Sequence, residues 1–339
     1  MNLTRFTILI WLLSCINSIG QLTITDASFT PTNVFLQWNS TGPAYIIEVT
    51  PSLSTGEWSY VSDVLSINEV VLSNDTEVTQ FYRIREVTEI YFLDAVFESN
   101  VWDSIPIKYE PTNSLYDIDV EDILMLNVNG CGITNLAGIE HYTSLKTLHC
   151  WGNPLVTLDL SKNVALTNLH CWDTNLEELD LSANTNLLLL YSGGLFTNLD
   201  VSANVKLTIL GHSGDYDDTP WRLPIYFLDV TANTNLIDLA VTENRFGTID
   251  LTHNIKLDRL WCYNNKNLTN LDLSANIALR EFHCHNSSLT NTLDLSANTN
   301  LVYVDVPHNF LTKIIVADTN NLPAHFMYDD GVIITDIKE

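Results

Sequence analysis

A repeat of 20 to 29 residues, running from about residue 123 to 321, constrains this 339-residue chain more than any other feature. A period of this length is typical of a solenoid, in which each coil buries its apolar side chains only by stacking on its neighbours. Consecutive copies start 22, 21, 21, 20, 29, 21, 22 and 22 residues apart, at Ile123, Leu145, Leu166, Leu187, Leu207, Leu236, Leu257, Leu279 and Leu301.

Each copy follows one internal pattern. Leu148 and Cys150 alternate with polar or aromatic neighbours, which is the two-residue period of a β-strand, and three leucines between 155 and 160 give a second extended stretch. Stacked coils would place parallel strands about 4.8 Å apart. An inward-facing Asn recurs at the turn, where its amide can both donate to and accept from the backbone, at Asn163, Asn184, Asn204, Asn233, Asn254, Asn276 and Asn298.

This pattern resembles the bacterial leucine-rich repeats of the short type with Cys in the strand, L-x-x-L-x-C-x-x-N-x-L-x-x-L-D-x-S-x-N. It is similar to the repeats of internalin J-like surface proteins. The resemblance covers residues 123–321 and implies a mainly β fold, namely a curved leucine-rich-repeat solenoid of about nine coils. It also implies a surface location and a role in adhesion or recognition, although such a motif specifies a fold far better than a function.

The ends of the array differ from its middle, because a solenoid needs caps over its terminal coils. Upstream, Ile90 to Trp102 place apolar residues at helical spacing and predict a helical N-terminal cap, as in the family that the repeats resemble. Downstream, Ile315 and Thr319 stand where Asp and Asn recur. We predict that a strand from Gly331 to Ile337 closes the core.

The segment before the cap lacks the repeat and is predicted to form a small β-sandwich with Trp38, Trp58 and Tyr82 in its core. It loosely resembles fibronectin type III modules. Strand-like stretches with turn signals between them occur at Gln21–Ile24, Val34–Asn39, Ala44–Thr50, Trp58–Ser62 and Phe81–Val87. The predicted organisation is therefore a signal peptide, a sandwich, a cap and a repeat domain with its C-terminal cap, at residues 1–20, 21–88, 89–122 and 123–339.

The N-terminus has the features of a secretory signal. A positive charge at Arg5, a short apolar run and small residues before Gln21 predict cleavage after residue 20. As an alternative, Leu12-Leu13-Ser14-Cys15 resembles a bacterial lipoprotein signal, in which Cys15 would be lipidated. No later apolar run is long enough for a transmembrane helix, so we expect a secreted or cell-surface protein.

The charge balance excludes some partners. Asp and Glu number 41 against 15 Lys and Arg, a net charge of −26. This excess argues against binding to nucleic acid, whose phosphates need Lys and Arg, and against an anionic membrane surface. The excess of negative charge is compatible with an extracellular surface and does not identify a partner. We expect a monomer.

Four cysteines, at Cys150, Cys171, Cys262 and Cys284, share one inward position of the repeat. Disulfides between neighbouring coils and a metal site are the functional alternatives. We expect buried free thiols that pack as small apolar side chains, and the family resemblance points the same way. There is no C-x-x-C pair for zinc. Cys131 is expected to be buried as well.

A recurring Asp is predicted to point outward on the side opposite the Cys-containing strand. We expect each carboxylate to accept hydrogen bonds within its own turn. Calcium is the alternative, but its sites need several converging oxygens, which a column of single carboxylates does not supply. The column consists of Asp159, Asp180, Asp200, Asp229, Asp250, Asp272 and Asp294.

The outward positions of the Cys-containing strand form the concave face in a leucine-rich repeat. Clustered exposed aromatic side chains there indicate an interaction surface, whereas the alternative is that stacked rings merely cover a sheet. We expect no metal at the His pairs 149/170 and 283/285, because no acidic or Cys partner is placed with them. The candidate ligand-binding residues are His149, Trp151, His170, Trp172 and Tyr191, then Arg259, Trp261, Tyr263, His283 and His285.

The copy that starts at Leu207 is longer than the others by about eight residues. Insertions in solenoids map to loops on one side, often the binding side, although a surface loop also tolerates a neutral insertion. The candidate loop residues are acidic or aromatic, with one Arg: Asp215, Tyr216, Asp217, Asp218, Trp221 and Arg222.

These features favour a binding protein that recognises an extracellular protein through the concave face. A glycan-binding module is the alternative, since Trp and Tyr platforms also suit sugar rings. An enzyme is the third hypothesis and the least supported one. The sequence has no G-x-S-x-G, H-E-x-x-H or phosphate-loop motif, and no acidic pair stands out as acid and base. We therefore predict no catalytic residue, cofactor or metal.

Overall fold

The computed structural model divides into two compact units, Met1–Tyr91 with Ser104–Val120 and Phe92–Asp103 with Glu121–Glu339. The predicted signal peptide, including Cys15, lies outside the residues that the structure describes. No helix within the described ranges is long and apolar enough to cross a membrane. Those ranges are 24–29, 33–38, 45–50, 59–60, 65, 69–73, 81–86, 89–104, 115–214 and 223–337.

The strands of the first unit are β1 (Ile24–Phe29), β2 (Asn33–Trp38), β3 (Tyr45–Thr50), β4 (Ser59–Tyr60), β5 (Glu69–Ser73) and β6 (Phe81–Glu86), and a short helix, α2, spans Asp117–Val120. The strands form two three-stranded antiparallel sheets, with strand orders β1-β2-β5 and β4-β3-β6. Tyr45, Ile46 and Ile47 of β3 are buried. Strand β5 was not predicted, and the resemblance to fibronectin type III stays a prediction. Trp58 and the side chains of Trp38 and Tyr82 lie outside the residues that the structure describes.

The predicted helical cap is helix α1 (Ala95–Ser104), which begins directly after Asp94. The Asp94 carboxylate accepts hydrogen bonds from the first-turn N–H groups of Val96 and Phe97 at 2.9 and 3.1 Å, as an N-cap residue does. Its other oxygen accepts from the backbone N–H and the hydroxyl of Thr134 at 2.7 and 2.6 Å. Burial raises the pKa of Asp94, but these hydrogen bonds outweigh it and lower the pKa to about 2.

The second unit is built around a ten-stranded parallel sheet with one strand from each coil. The predicted leucines point inward, and Leu148, Leu169 and Leu190 are fully buried. The sheet has one strand more than the nine predicted coils, because Tyr303 pairs with His325, 22 residues further on. In chain order its strands are β7 (Met125–Asn127), β8 (Thr147–His149), β9 (Asn168–Cys171), β10 (Leu189–Ser192), β11 (Ile209–Ser213), β12 (Asp238–Thr242), β13 (Arg259–Trp261), β14 (Glu281–His283), β16 (Tyr303–Asp305) and β18 (His325–Met327).

A second, three-stranded parallel sheet forms only in the last coils, from β15 (Thr290–Asp294), β17 (Phe310–Val316) and β19 (Ile333–Asp336). The second extended stretch of the earlier coils forms no regular strand among the described residues. The predicted closing strand is confirmed as β19. A short 3-10 helix, Ile139–His141, precedes β8.

The recurring Asn side chains join each coil to the one before it. Asn254, for example, donates from Nδ2 to the carbonyls of Val230 and Asn233, both at 3.0 Å. All seven predicted Asn are buried and make the equivalent pair of bonds. A second column, at Asn153, Asn244, Asn265 and Asn309, also accepts a backbone N–H. Donation by the predicted Asn column is confirmed. Acceptance is not, because the buried Oδ1 atoms of that column have no hydrogen-bond donor among the described residues, whereas the second column both donates and accepts, as Asn153 does.

We expect Asn254→Ala to lower the free energy of unfolding by roughly 2 kcal/mol, because two hydrogen bonds to buried carbonyls are lost, each worth about 1 kcal/mol. The matched control is Asn235→Ala, which removes a 3.1 Å bond to the Val205 carbonyl near the surface. The control should cost less than about 1 kcal/mol, since water can replace that bond. Urea unfolding measures both, and equal losses would contradict a structural role for the buried column.

Candidate functional site

The parallel sheet has one face turned away from the buried leucines, which we call the sheet face. Parallel pairing aligns its side chains in columns along the sheet. The middle column passes through His149, His170, Tyr191, Gly211, Ala240, Trp261, His283, Asp305 and Met327. The outer column lies two residues further along each strand, at Trp151, Trp172, Gly193, Ser213, Thr242, Tyr263 and His285.

The structure brings the first five predicted residues together as the N-terminal patch: His149, Trp151, His170, Trp172 and Tyr191. The Trp151 and Trp172 rings stack in parallel, with centroids 4.6 Å apart and planes at 8°. The His149 and His170 rings lie 4.3 Å apart, and Tyr191 lies 5.1 Å beyond His170. All five side chains are half-buried. Two neighbouring columns therefore present one continuous surface of rings.

The other five predicted residues form the C-terminal patch: Arg259, Trp261, Tyr263, His283 and His285. The Tyr263 and His285 rings stack at 4.6 Å, and His283 meets Trp261 edge to face at 5.7 Å. Trp261 is 40% exposed. Arg259 donates from Nε to Asp238 at 2.6 Å, so its charge is paired.

Sequence analysis missed two members of the C-terminal patch. The Tyr303 ring stacks on His283 at 4.5 Å, and His325 stacks on Tyr303 at 4.0 Å. Tyr303 is an outward position of the last recognised copy, and His325 lies beyond it. The 22-residue spacing was the signal that could have found His325.

The expectation that no acidic side chain accompanies the second His pair was wrong. The Asp305 carboxylate is almost buried and lies 3.0 Å from His285 Nδ1 and 3.7 Å from His283 Nδ1. Parallel pairing with His283 is what places Asp305 there. Burial lowers the pKa of His283, and Asp305 offsets only part of this shift. Within the described chain, no group of three or more His, Cys, Asp or Glu side chains is arranged to hold a metal ion.

Small residues separate the two patches, at Gly193, Gly211, Ser213 and Ala240. Tyr191 leans over Gly211, since a β carbon there would lie 2.3 Å from Cδ1 of the ring. The sheet face thus becomes shallow between the patches. The candidate loop would follow this stretch, but its residues Asp215, Tyr216, Asp217, Asp218, Trp221 and Arg222 lie outside the described residues.

The predicted inward cysteines are confirmed as buried free thiols: Cys150, Cys171, Cys262 and Cys284. Burial raises the pKa of Cys171 to about 12, so its reactive thiolate is suppressed. Cys131 is only half-buried, contrary to expectation, and its sulfur lies 3.7 Å from Asn100 Oδ1 and 3.4 Å from the Asn129 carbonyl. In the same inward column, Ser192 Oγ lies 3.1 Å from Nδ1 of a fully buried His212, a polar pair that the pattern did not reveal.

The recurring Asp carboxylates are exposed and accept within their own turns, as predicted. Asp180, for example, accepts the backbone N–H of Ser182 at 2.9 Å. The Ser182 hydroxyl and this N–H lower the pKa of Asp180. Equivalent backbone bonds occur at Asp159, Asp200, Asp229, Asp250, Asp272 and Asp294. The column therefore stabilises turns.

Solved structures with a similar arrangement include internalins of Listeria monocytogenes. Internalin C2 matches with a TM-score of 0.51 and 20% identity, over 63% of this chain and 94% of that chain. A functional domain of InlJ that includes a cysteine ladder matches with a TM-score of 0.33 and 24% identity, over 73% and 71% of the two chains. No protein-family model matches the sequence, and no curated protein does. The likeness to internalin C2 and the ten stacked coils show the predicted leucine-rich-repeat solenoid fold.

We expect the solenoid to lose stability on mild acidification through His170. Burial, and then the charge of His149, lower the pKa of His170 below 6.5. The unfolded chain therefore binds a proton more readily, so this contribution is present above about pH 6.5 and is lost as the pH falls below it. His170→Gln should flatten the fall of Tm between about pH 7 and 5, whereas exposed His253→Gln should keep the wild-type slope. Identical slopes in all three proteins would refute the assignment.

Proposed function

We propose that this chain is a secreted or cell-surface binding protein that recognises an extracellular protein through its sheet face. The observation that carries the proposal is the pair of ring patches on a face that the leucine core does not use. Trp, Tyr and Arg are the side chains that most often dominate binding energy at protein interfaces. The N-terminal and C-terminal patches consist largely of these residues and His.

The spacing of the patches supports one partner that contacts both. Trp151 and His285 are separated by six strand-to-strand steps, or about 29 Å at 4.8 Å per step. A specific interface buries about 800 Å² on each partner. The width of a surface of that area is similar to the separation of these two residues. Paired charges such as Arg259 with Asp238 would then fix orientation, and the rings would supply most of the affinity.

Binding is also favoured over catalysis. A groove of about 390 Å³ lies on the side of the Asp column, with Glu177, Glu178, Asp180 and Asp200 in its lining. Asp180 and Asp200 already accept backbone hydrogen bonds in their turns. The lining contains no His, Cys or Lys that could serve as a base or nucleophile beside these carboxylates. We therefore assign the groove no reaction.

We expect Trp151→Ala and Trp261→Ala each to weaken capture of the partner roughly 30-fold, the cost of a strong interface anchor. The assay immobilises the chain without residues 1–20 and exposes it to detergent-solubilised cell-surface proteins, with a glycan array in parallel. Phe227→Ala is the matched control, because Phe227 is 66% exposed but lies outside the ten-stranded sheet.

The control should capture the same protein as the wild type. Retention of that protein by both Trp variants would contradict the proposal. Selective binding of one glycan, lost in the Trp variants, would replace the protein partner with a sugar. Turnover of a model substrate by the purified chain would contradict the choice of binding over catalysis.

A further inference from the structure

We propose that two copies of this chain pack side by side through one edge of the solenoid, related by a two-fold axis that runs parallel to the stack of coils. This inference goes beyond the proposed function, since the edge contains none of the ring residues of the sheet face. A dimer of this kind replaces the monomer that the sequence led us to expect. Its basis is the pair of turns that precedes seven strands of the ten-stranded sheet.

The edge consists of two consecutive turns in each coil, which meet at the buried Asn. In one coil, the Asn254 N–H donates to the Leu251 carbonyl at 3.0 Å, and the Leu257 N–H donates to the Asn254 carbonyl at 3.1 Å. These three residues are buried, whereas the four residues between them are exposed. We call these four outward positions, stacked over seven coils, the turn edge. It comprises the two residues on either side of Asn163, Asn184, Asn204, Asn233, Asn254, Asn276 and Asn298.

The third position of the turn edge is exposed in all seven coils and always holds a β-branched side chain. Four of these side chains are aliphatic and 47–59% exposed, at Val164, Val205, Ile255 and Ile277, and the other three are Thr. Single exposed aliphatic side chains are ordinary on a protein surface. A column of methyl-bearing side chains about 4.8 Å apart is instead a contiguous apolar strip, which is typical of an interaction site.

The turn edge has a different charge from the rest of this acidic chain. None of its four positions holds Asp or Glu in any of the seven coils, although the chain has 41 such residues. The fourth position includes Lys206 and Lys256, whose Nζ groups each donate to an Asn Oδ1 at 2.7 Å. The column of recurring Asp lies along the other side, two residues before the edge begins. One side of the strip is therefore acidic and the other is basic.

The two positions between the Asp column and the apolar strip are small. The first is always Ser or Thr, and the second is Ala in five coils, with Lys162 and His253 in the other two. Across the edge, the columns thus run in the order acidic, small, large and basic. A two-fold axis parallel to the stack reverses this order in the second copy, so the apolar strip packs on the small columns and the Lys column faces the Asp column.

The spacing of the coils favours a second copy over other occupants. Both copies advance by about 4.8 Å per coil, so the columns match along the whole edge. A helix rises about 5.4 Å per turn and would lose this register by about 3.6 Å over six coil-to-coil steps. A two-fold axis across the stack would place Asp against Asp. Lys206 and Lys256 are therefore expected beside Asp200 and Asp250 of the second copy.

The size of the turn edge fits a weak dimer. Its six steps are about 29 Å long, and four Cα–Cα steps limit its width to about 15 Å. Two such surfaces would bury roughly 1,000 Å² together, which is the lower limit for a specific interface. Exposed ion pairs at the border would contribute orientation more than affinity. We therefore expect a dissociation constant in the micromolar range.

Sedimentation velocity of the chain without residues 1–20, from about 1 to 200 µM, measures the dimer. We expect Ile255→Glu to raise the dissociation constant at least about tenfold, because it places a carboxylate in the apolar strip. The matched control is Val156→Glu, since Val156 is 45% exposed but lies outside the turn edge. The control should change the constant less than about twofold. Lys256→Glu should weaken the dimer, whereas Lys266→Glu, an exposed Lys outside the turn edge, should not.

Carbodiimide cross-linking of a mixture of isotopically labelled and unlabelled chains tests the orientation. Links between chains should join Lys256 to Asp250 and Lys206 to Asp200. A chain that stays monomeric at the highest concentration, or an Ile255→Glu variant that dimerises as well as the wild type, would overturn the inference. Links between chains that involve only residues outside the turn edge and the Asp column would overturn it too. These measurements do not depend on partner capture, so the proposed function can stand when this inference fails.

Discussion

The fold depends on the buried Asn amides that join each coil to the previous one. Their Nδ2 groups donate a second hydrogen bond to buried carbonyls that already accept a backbone N–H in their own turn, as Asn254 does for Val230 and Asn233. Because the same bonds recur in every coil from 163 to 298, each coil stacks in one register on its neighbour. A shift of one residue would lose these bonds and would also turn the leucines outward.

Fixed register explains why the rings of the sheet face form columns. Once each strand is aligned, a side chain repeated at one position stacks on its copy in the next coil at the strand spacing. The 4.6 Å stacks of Trp151 on Trp172 and of Tyr263 on His285 follow directly. A glycine in the same column interrupts the stack of side chains, as Gly193 does after Trp172. One residue in each coil therefore determines the shape of the surface at that point of the sheet.

The repeat made most of the fold predictable. The prediction failed in the last coils, where the repeat pattern is lost. The Leu, Asn and Asp positions and the four strand cysteines were assigned correctly, because each has one environment per coil, whereas Cys131 was not. The tenth strand was missed because Phe326 replaces its inward leucine and the turn residues change. Asp305 lies on the sheet face, but it is almost buried beside His283 and His285. Burial of that kind depends on the side chains that neighbouring coils place beside a residue. The sequence of a single repeat does not contain this information.

The ring patches are poorly explained as mere cover for a sheet. Thr residues at these positions would have a high β-strand propensity, and their side chains would carry no titratable group. The N-terminal patch instead sets His170 beside His149 and partly buries it, which lowers the pKa of His170 and costs stability in acid. The C-terminal patch leaves Trp261 substantially exposed although apolar positions are available inside. Side chains that reduce stability, and that recur in adjacent columns on one face, support the proposal that these patches contact a partner.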